Sequence, residues 1–141
     1  MKGRSDELGL YLFVQHVGRR LRHIDAAYGL SSSRVSAMAH LAFHGVDNVG
    51  QLAAHEGVSR PSMTRLVRDM ESDGLVRRSP DANDGRGVLV ALTKKGRALV
   101  EKIRTEKIAL IAAHVNTLDP AARRALRLTL ENLHALETAK N

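Results

Sequence analysis

Apolar residues fall at helical spacing along nearly the whole chain. Leu10, Val14, Val17, Leu21, Ile24 and Tyr28 alternate steps of four and three, which predicts one apolar stripe on a long first helix that Gly29 ends. Ser31 or Ser32 caps a second helix, which turns Val35, Met38, Leu41 and Ala42 inward and stops at Gly45, where a left-handed residue belongs. A short third helix spans Val49 to Glu56. Asn48 caps it, Gln51 reaches back to complete a capping box, and Gly57 closes it. The fourth helix buries Met63, Leu66, Val67 and Met70 and ends at Gly74. Pro61 near its start leaves the cap to either Ser59 or Arg60. The period then changes: Leu75 to Ser79 and Val88 to Leu92 read as two strands around a polar loop of Pro, Asp, Asn and Gly. Thr93 caps a fifth helix with Ile108, Ile111, Val115 and Leu118 in register. Asp119-Pro120 opens a last helix carrying Leu126, Leu130 and Leu133. The fold class is mainly α with one small β-hairpin. The terminal helices carry more apolar surface than a lone domain of this size needs, which predicts a second chain.

Composition narrows the partner. The 141 residues suit one domain over 1–141. Lys plus Arg number 22 against 15 acids, giving a net charge of +7 and a pI near 10.4, which favours nucleic acid first and an anionic membrane surface second. With 0 Cys there is no disulfide framework and no thiolate metal site. The N-terminal residues resemble neither a signal peptide nor a membrane span, so a soluble, cytoplasmic protein is expected.

The third helix, the turn Gly57-Val58-Ser59 and the fourth helix have the order of a helix-turn-helix. Burying the apolar stripe of the fourth helix leaves Arg60, Ser62, Arg65, Arg68 and Asp69 outside, with donors at the end that would enter a major groove. Ser59, Arg60, Pro61, Ser62, Thr64, Arg65 and Arg68 are the candidate DNA-binding residues of this segment. Arg68 has pairing with nearby acids as its alternative. Two strands directly after a recognition helix form a wing, and Arg86 at its tip suits a narrow minor groove.

QLAAHEGVSRPSMTRLVRDMESDGLVRR (Gln51 to Arg78) followed by DANDGRGVLVALTKKGRAL (Asp81 to Leu99) resembles the MarR (multiple-antibiotic-resistance regulator) family of winged helix-turn-helix transcriptional regulators. The Leu92-Thr93-x-x-Gly96-Arg97 segment after an Asp-and-Arg wing is the most specific part of the match, and the order of elements covers essentially the whole chain. The resemblance implies a homodimer, with 1–30 and 94–141 as dimerisation helices and 31–93 as the DNA-binding region. It also implies a sequence-specific repressor on a pseudo-palindromic double-stranded DNA operator. Many members are released from DNA by small, often phenolic, ligands held between the dimer helices and the winged domain. Tyr11, Phe13, His16, Tyr28, Arg34 and Met38 are the candidate lining of such a pocket, with core packing as the alternative. Members commonly carry a basic residue where Gly85 stands, so Gly85 and Gly87 predict a looser wing with weaker contacts.

Other functions leave fainter traces. His40 and His44 have the i, i+4 spacing of a metal pair, and His16 and His23 lie two turns apart, but no third ligand is committed, so no metal residue is assigned. A metal-responsive regulator and a sequence-blind architectural DNA-binding protein are the alternatives to the operator-binding reading. No nucleophile elbow or phosphate-cradling glycine loop points to an enzyme, and no cofactor or catalytic residue is assigned. Lys94, Lys95, Arg97, Lys102 and Arg104 form a basic run that either touches flanking phosphates or stays solvated.

Overall fold

A computed structural model describes residues 5–138, with side chains through residue 135. The element order is α1 (Asp6–Ala27), α2 (Ser32–His44), β1 (Asp47–Asn48), α3 (Val49–Glu56), α4 (Arg60–Ser72), β2 (Val76–Asp81), β3 (Asp84–Leu92), α5 (Lys94–Val115) and α6 (Pro120–Thr138). The sheet is antiparallel in the order β1-β3-β2. Two compact units divide within α5, one ending at Glu106 and the other starting at Lys107.

The core of the first unit gathers Met38, Leu41, Leu52, Met63, Val67, Met70, Val76, Val90 and Ile103. Each lies on the apolar face its element presents inward, and burying a side chain of this size contributes roughly 1.5–3 kcal/mol. The stripe of α1 divides along its length. Val17 is buried and Ile24 and Tyr28 pack against the core, whereas Leu10 and Val14 are 55% and 56% exposed. In the second unit Leu130 and Leu133 are likewise exposed.

Ser31 caps α2 by accepting from the Arg34 amide at 3.3 Å, while Ser32 donates instead to the buried Asp25 carboxylate at 3.0 Å. Ser59, not Arg60, caps α4. The capping box of α3 is half formed. The Asn48 side chain accepts from the Gln51 amide at 2.9 Å, but the Asn48 amide donates to Asp47 Oδ1 at 2.8 Å, so the Gln51 side chain is not the partner that satisfies it. β1, unseen in the sequence, pairs Asp47 and Asn48 with Val90 and Leu89 at this point. A two-residue strand has no alternation to read.

The Leu-Thr-x-x-Gly-Arg segment proves to be a lock between α5 and the α4–β2 connection. Thr93 Oγ1 lies 2.7 Å from the Gly74 carbonyl oxygen and 3.1 Å from that of Leu75, and it accepts from the Gly96 amide at 3.0 Å. The Thr93 amide donates to the same Leu75 carbonyl at 3.0 Å. Gly96 is buried there, and a Cβ on it would sit 2.0 Å from that oxygen. Only a residue without a side chain allows the first turn of α5 to seat.

Candidate nucleic-acid interface

The helix-turn-helix is built as its sequence suggests. Gly57 closes α3 in the left-handed region, at φ 64° and ψ 31°, a conformation that costs a residue with a Cβ and that reverses the chain between α3 and α4. Its amide and that of Val58 return to the last carbonyls of α3. Ser59 then caps α4 through the Ser62 amide at 3.3 Å, and the two hydroxyls meet at 2.8 Å. With Met63, Val67 and Met70 fully buried, the opposite face exposes Arg60, Pro61, Ser62, Arg65 and Arg68. Thr64 is half-buried between the faces and donates to the Arg60 carbonyl at 2.9 Å.

Two clefts flank the exposed N-terminal turns of α4. One, of about 440 Å³, is lined by Arg60, Pro61, Thr64, Arg65 and Arg68. The other, of about 260 Å³, lies between α4 and the wing and is lined by Val49, Arg60, Thr64, Val67, Arg78, Arg86 and Val88. Arg60 and Thr64 border both, so the recognition-helix arginines and Arg86 share one continuous surface.

The wing differs from its sequence reading. The strands pair as far as Asp81 and Asp84, with a register shift after Pro80, and the turn is just Ala82-Asn83. Asp81 accepts from the Asn83 amide at 2.9 Å and Asp84 from the Arg86 amide at 3.1 Å, so the two carboxylates hold a tight turn where a polar loop was expected. Arg86 is therefore not the tip. It stands on β3, facing the cleft beside α4. Nor do both glycines loosen the wing: Gly87 is buried and a Cβ there would meet Asp81 Cβ at 2.9 Å, whereas Gly85 faces open space. Gly87 is required by close packing.

Acids on the later turns of α4 are taken up by cations from other elements. Arg34 pairs with Asp73 at 2.9 Å and with Asp69 at 3.4 Å, linking α2 to α4. Lys95 Nζ donates to the Asp73 carbonyl at 2.7 Å. The Arg78 guanidinium donates to Glu71 Oε2 at 2.6 Å and the Arg78 amide to Oε1 at 3.1 Å. Among the described residues Arg60, Arg65, Arg68 and Arg86 form no ion pair, so the alternative for Arg68, pairing with neighbouring acids, is not seen. The ion pairs thus engage acids on the later turns of α4, while Arg60, Arg65, Arg68 and Arg86 keep their charge unpaired. The Arg78 side chain, and then its amide, hold the Glu71 carboxyl below its ordinary value of 4.5. A depressed folded pKa means that the contact is present above the ordinary carboxylate range and lost only as pH falls through the lowered value. The interface keeps this pairing at neutral pH.

The residues expected around an effector differ in their surroundings. Tyr11, Phe13 and His16 are exposed on α1, Met38 is fully buried in the core, and Arg34 is held by the two acids of α4. Tyr28 lines a cleft of about 440 Å³ with Leu30, Asp73, Lys95 and Leu99. Its hydroxyl donates to Glu106 and Lys102 Nζ sits 5.5 Å over its ring; the Glu106 bond raises the phenol pKa by favouring the protonated form. Arg104 pairs with Glu101 at 2.7 Å, so with Lys95 and Lys102 also engaged, Lys94 and Arg97 are the exposed cations left of the basic run. His40 and His44 do approach, at 4.6 Å between rings, with His55 4.2 Å from His40 and Asp47 2.9 Å from its Nε2. No group of three or more His, Cys, Asp or Glu among the described residues is arranged to hold a metal ion. The sequence reading missed Arg78, Glu71 and the Arg34 ties, because ion pairs across elements leave no spacing signal in one chain.

The MarR family profile matches residues 30–88. An uncharacterized HTH-type transcriptional regulator of Mycobacterium bovis is 35% identical over 127 residues, covering 90% of this chain and 89% of that one. The homoprotocatechuate degradative operon repressor of Escherichia coli is 42% identical over 55 residues, 39% of this chain and 37% of its own. The crystal structure of NadR in complex with 4-hydroxyphenylacetate superposes with a TM-score of 0.74 at 28% identity, covering 96% of this chain and 93% of that one.

Proposed function

The chain belongs to the MarR family of transcriptional regulators, and from that premise we propose that it is a homodimeric, cytoplasmic repressor of a pseudo-palindromic DNA operator, released by a small aromatic acid. The observation that carries the DNA reading is the shared border of the two clefts. Arg60 and Thr64 join Arg65 and Arg68 on one side to Arg78 and Arg86 on the other, and no acid pairs with the four outward arginines among the described residues. Such a surface sets α4 in a major groove, where Arg65 reaches a base edge, and lays the wing along the adjoining minor groove.

Exposed apolar residues support the dimer. Leu10, Tyr11, Phe13 and Val14 on α1 in the first unit, and Leu128, Leu130 and Leu133 on α6 in the second, are faces that a second copy would cover. Each subunit then reads one half-site, with half-site centres about 10 bp apart. The effector class is supported by the likeness to NadR, whose structure holds 4-hydroxyphenylacetate. No helix among the described residues is long and apolar enough to cross a membrane.

Selecting bound fragments from the source genome and then screening small aromatic acids for release tests this reading. An inverted repeat among the bound fragments, freed by at least one such acid, is the expected result; fragments without a shared sequence contradict it. For the wing, Arg86→Ala is expected to weaken binding most where the flanks are A·T-rich, because a narrow minor groove concentrates negative potential. Binding titrations on operators differing only in their flanks read this, and equal loss on every flank argues against minor-groove insertion.

A further inference from the structure

We propose that Glu71 is a positioning residue that sets the wing against the recognition helix, acting through Arg78; this rests on the DNA-binding reading above. β2 is an edge strand of the sheet, so one side of its backbone has no strand to pair with. At Arg78 the Glu71 carboxylate supplies the missing acceptor. One oxygen takes the Arg78 amide at 3.1 Å and the other takes the guanidinium Nε at 2.6 Å. One side chain of α4 thus grips backbone and side chain of β2 together. The grip also fixes the Nε edge of the guanidinium, while Arg78 lines the cleft shared with Arg60 and Arg86.

Leverage makes this contact matter. Arg78 pairs with Val90, and Arg86 lies four residues from Val90 along β3, about 13 Å at ~3.3 Å per residue. A wing tilt of about 10° at the clamp moves Arg86 by roughly 2 Å, beyond the tolerance of a hydrogen bond. Arg34 and Lys95 fasten the rear of α4 to α2 and α5, so Glu71 tethers the wing to a helix that is itself held.

The test uses the full-length protein with Glu71→Ala and Glu71→Gln, in two arms. Without DNA, amide exchange at Arg78 is expected to accelerate in Glu71→Ala and to be partly restored in Glu71→Gln, which keeps an acceptor oxygen. With a selected operator, hydroxyl-radical footprints are expected to lose the minor-groove protection at the flanks while guanine N7 protection from dimethyl sulfate in the major groove persists. Affinity should fall about five- to tenfold, and combining Glu71→Ala with Arg86→Ala should add little to either alone, as coupled sites do. A merely structural role for Glu71 would lower the thermal midpoint but leave the footprint shape intact. Unchanged Arg78 exchange, retained flank protection, or losses that multiply in the double variant would each overturn the proposal. If the unsubstituted protein gives no specific footprint, the operator reading fails instead, and the exchange arm still decides whether the clamp exists.

Discussion

Gly96→Ala is expected to destabilise the protein by about 3 kcal/mol, at the upper end of what overpacking a close contact costs, and to lower the thermal midpoint by roughly 10 °C. The added methyl would sit 2.0 Å from the Leu75 carbonyl oxygen. That oxygen belongs to the backbone and already accepts the Thr93 amide, so it has little room to retreat. Relief requires shifting the start of α5 away from the α4–β2 connection, which also disturbs the Thr93 contacts with Gly74 and Gly96. Gly85→Ala is the control. Its Cβ meets nothing within 4 Å, so a change within about 0.5 kcal/mol is expected. Calorimetric or dichroism melts of both variants check this, and equal midpoints would mean that the close approach at Gly96 is absent.

The second large effect concerns recognition. Arg65→Ala is expected to cost about 1–3 kcal/mol of operator binding per half-site if the guanidinium reads a base, so a dimer that loses it twice loses roughly 2–6 kcal/mol. The side chain is exposed, borders the cleft it shares with Arg60, Pro61, Thr64 and Arg68, and has no acid to satisfy it among the described residues. Its free energy is therefore not already spent within the protein. Binding to a library of operator variants should show relaxed preference at one position in each half-site. A uniform loss across all variants would assign Arg65 to a phosphate instead.

Much of this surface was legible in the chain. The apolar steps from Met63 to Met70 fix which face of α4 is buried, and so by subtraction which arginines are outside. Gly57 and Ser59 announce the turn because a left-handed residue and a side-chain cap are local requirements. The wing was harder. Its polar residues read as a loop, yet Asp81 and Asp84 use their carboxylates to bind nearby amides, and pairing continues almost to the turn. Polarity alone does not distinguish a solvated loop from an exposed hairpin. The family signature at Thr93 and Gly96 was visible as a pattern, but its reason, a carbonyl from a distant turn, is a tertiary fact. The ties of Arg34 and Arg78 to the acids of α4 are of the same kind. So is the difference between Met38, fully buried, and Tyr11, Phe13 and His16, exposed, which the helical period of α1 and α2 does not reveal.

The most direct measurement is fluorescence anisotropy of the protein on its selected duplex and on a shuffled duplex of equal composition, across a range of salt. With arginines from α4 and the wing facing DNA, the selected duplex should bind at least about 10³-fold tighter at physiological salt. Affinity on both duplexes should fall steeply as counterions return to the phosphates. Equal affinity for the two sequences, or binding that ignores salt, would contradict the account.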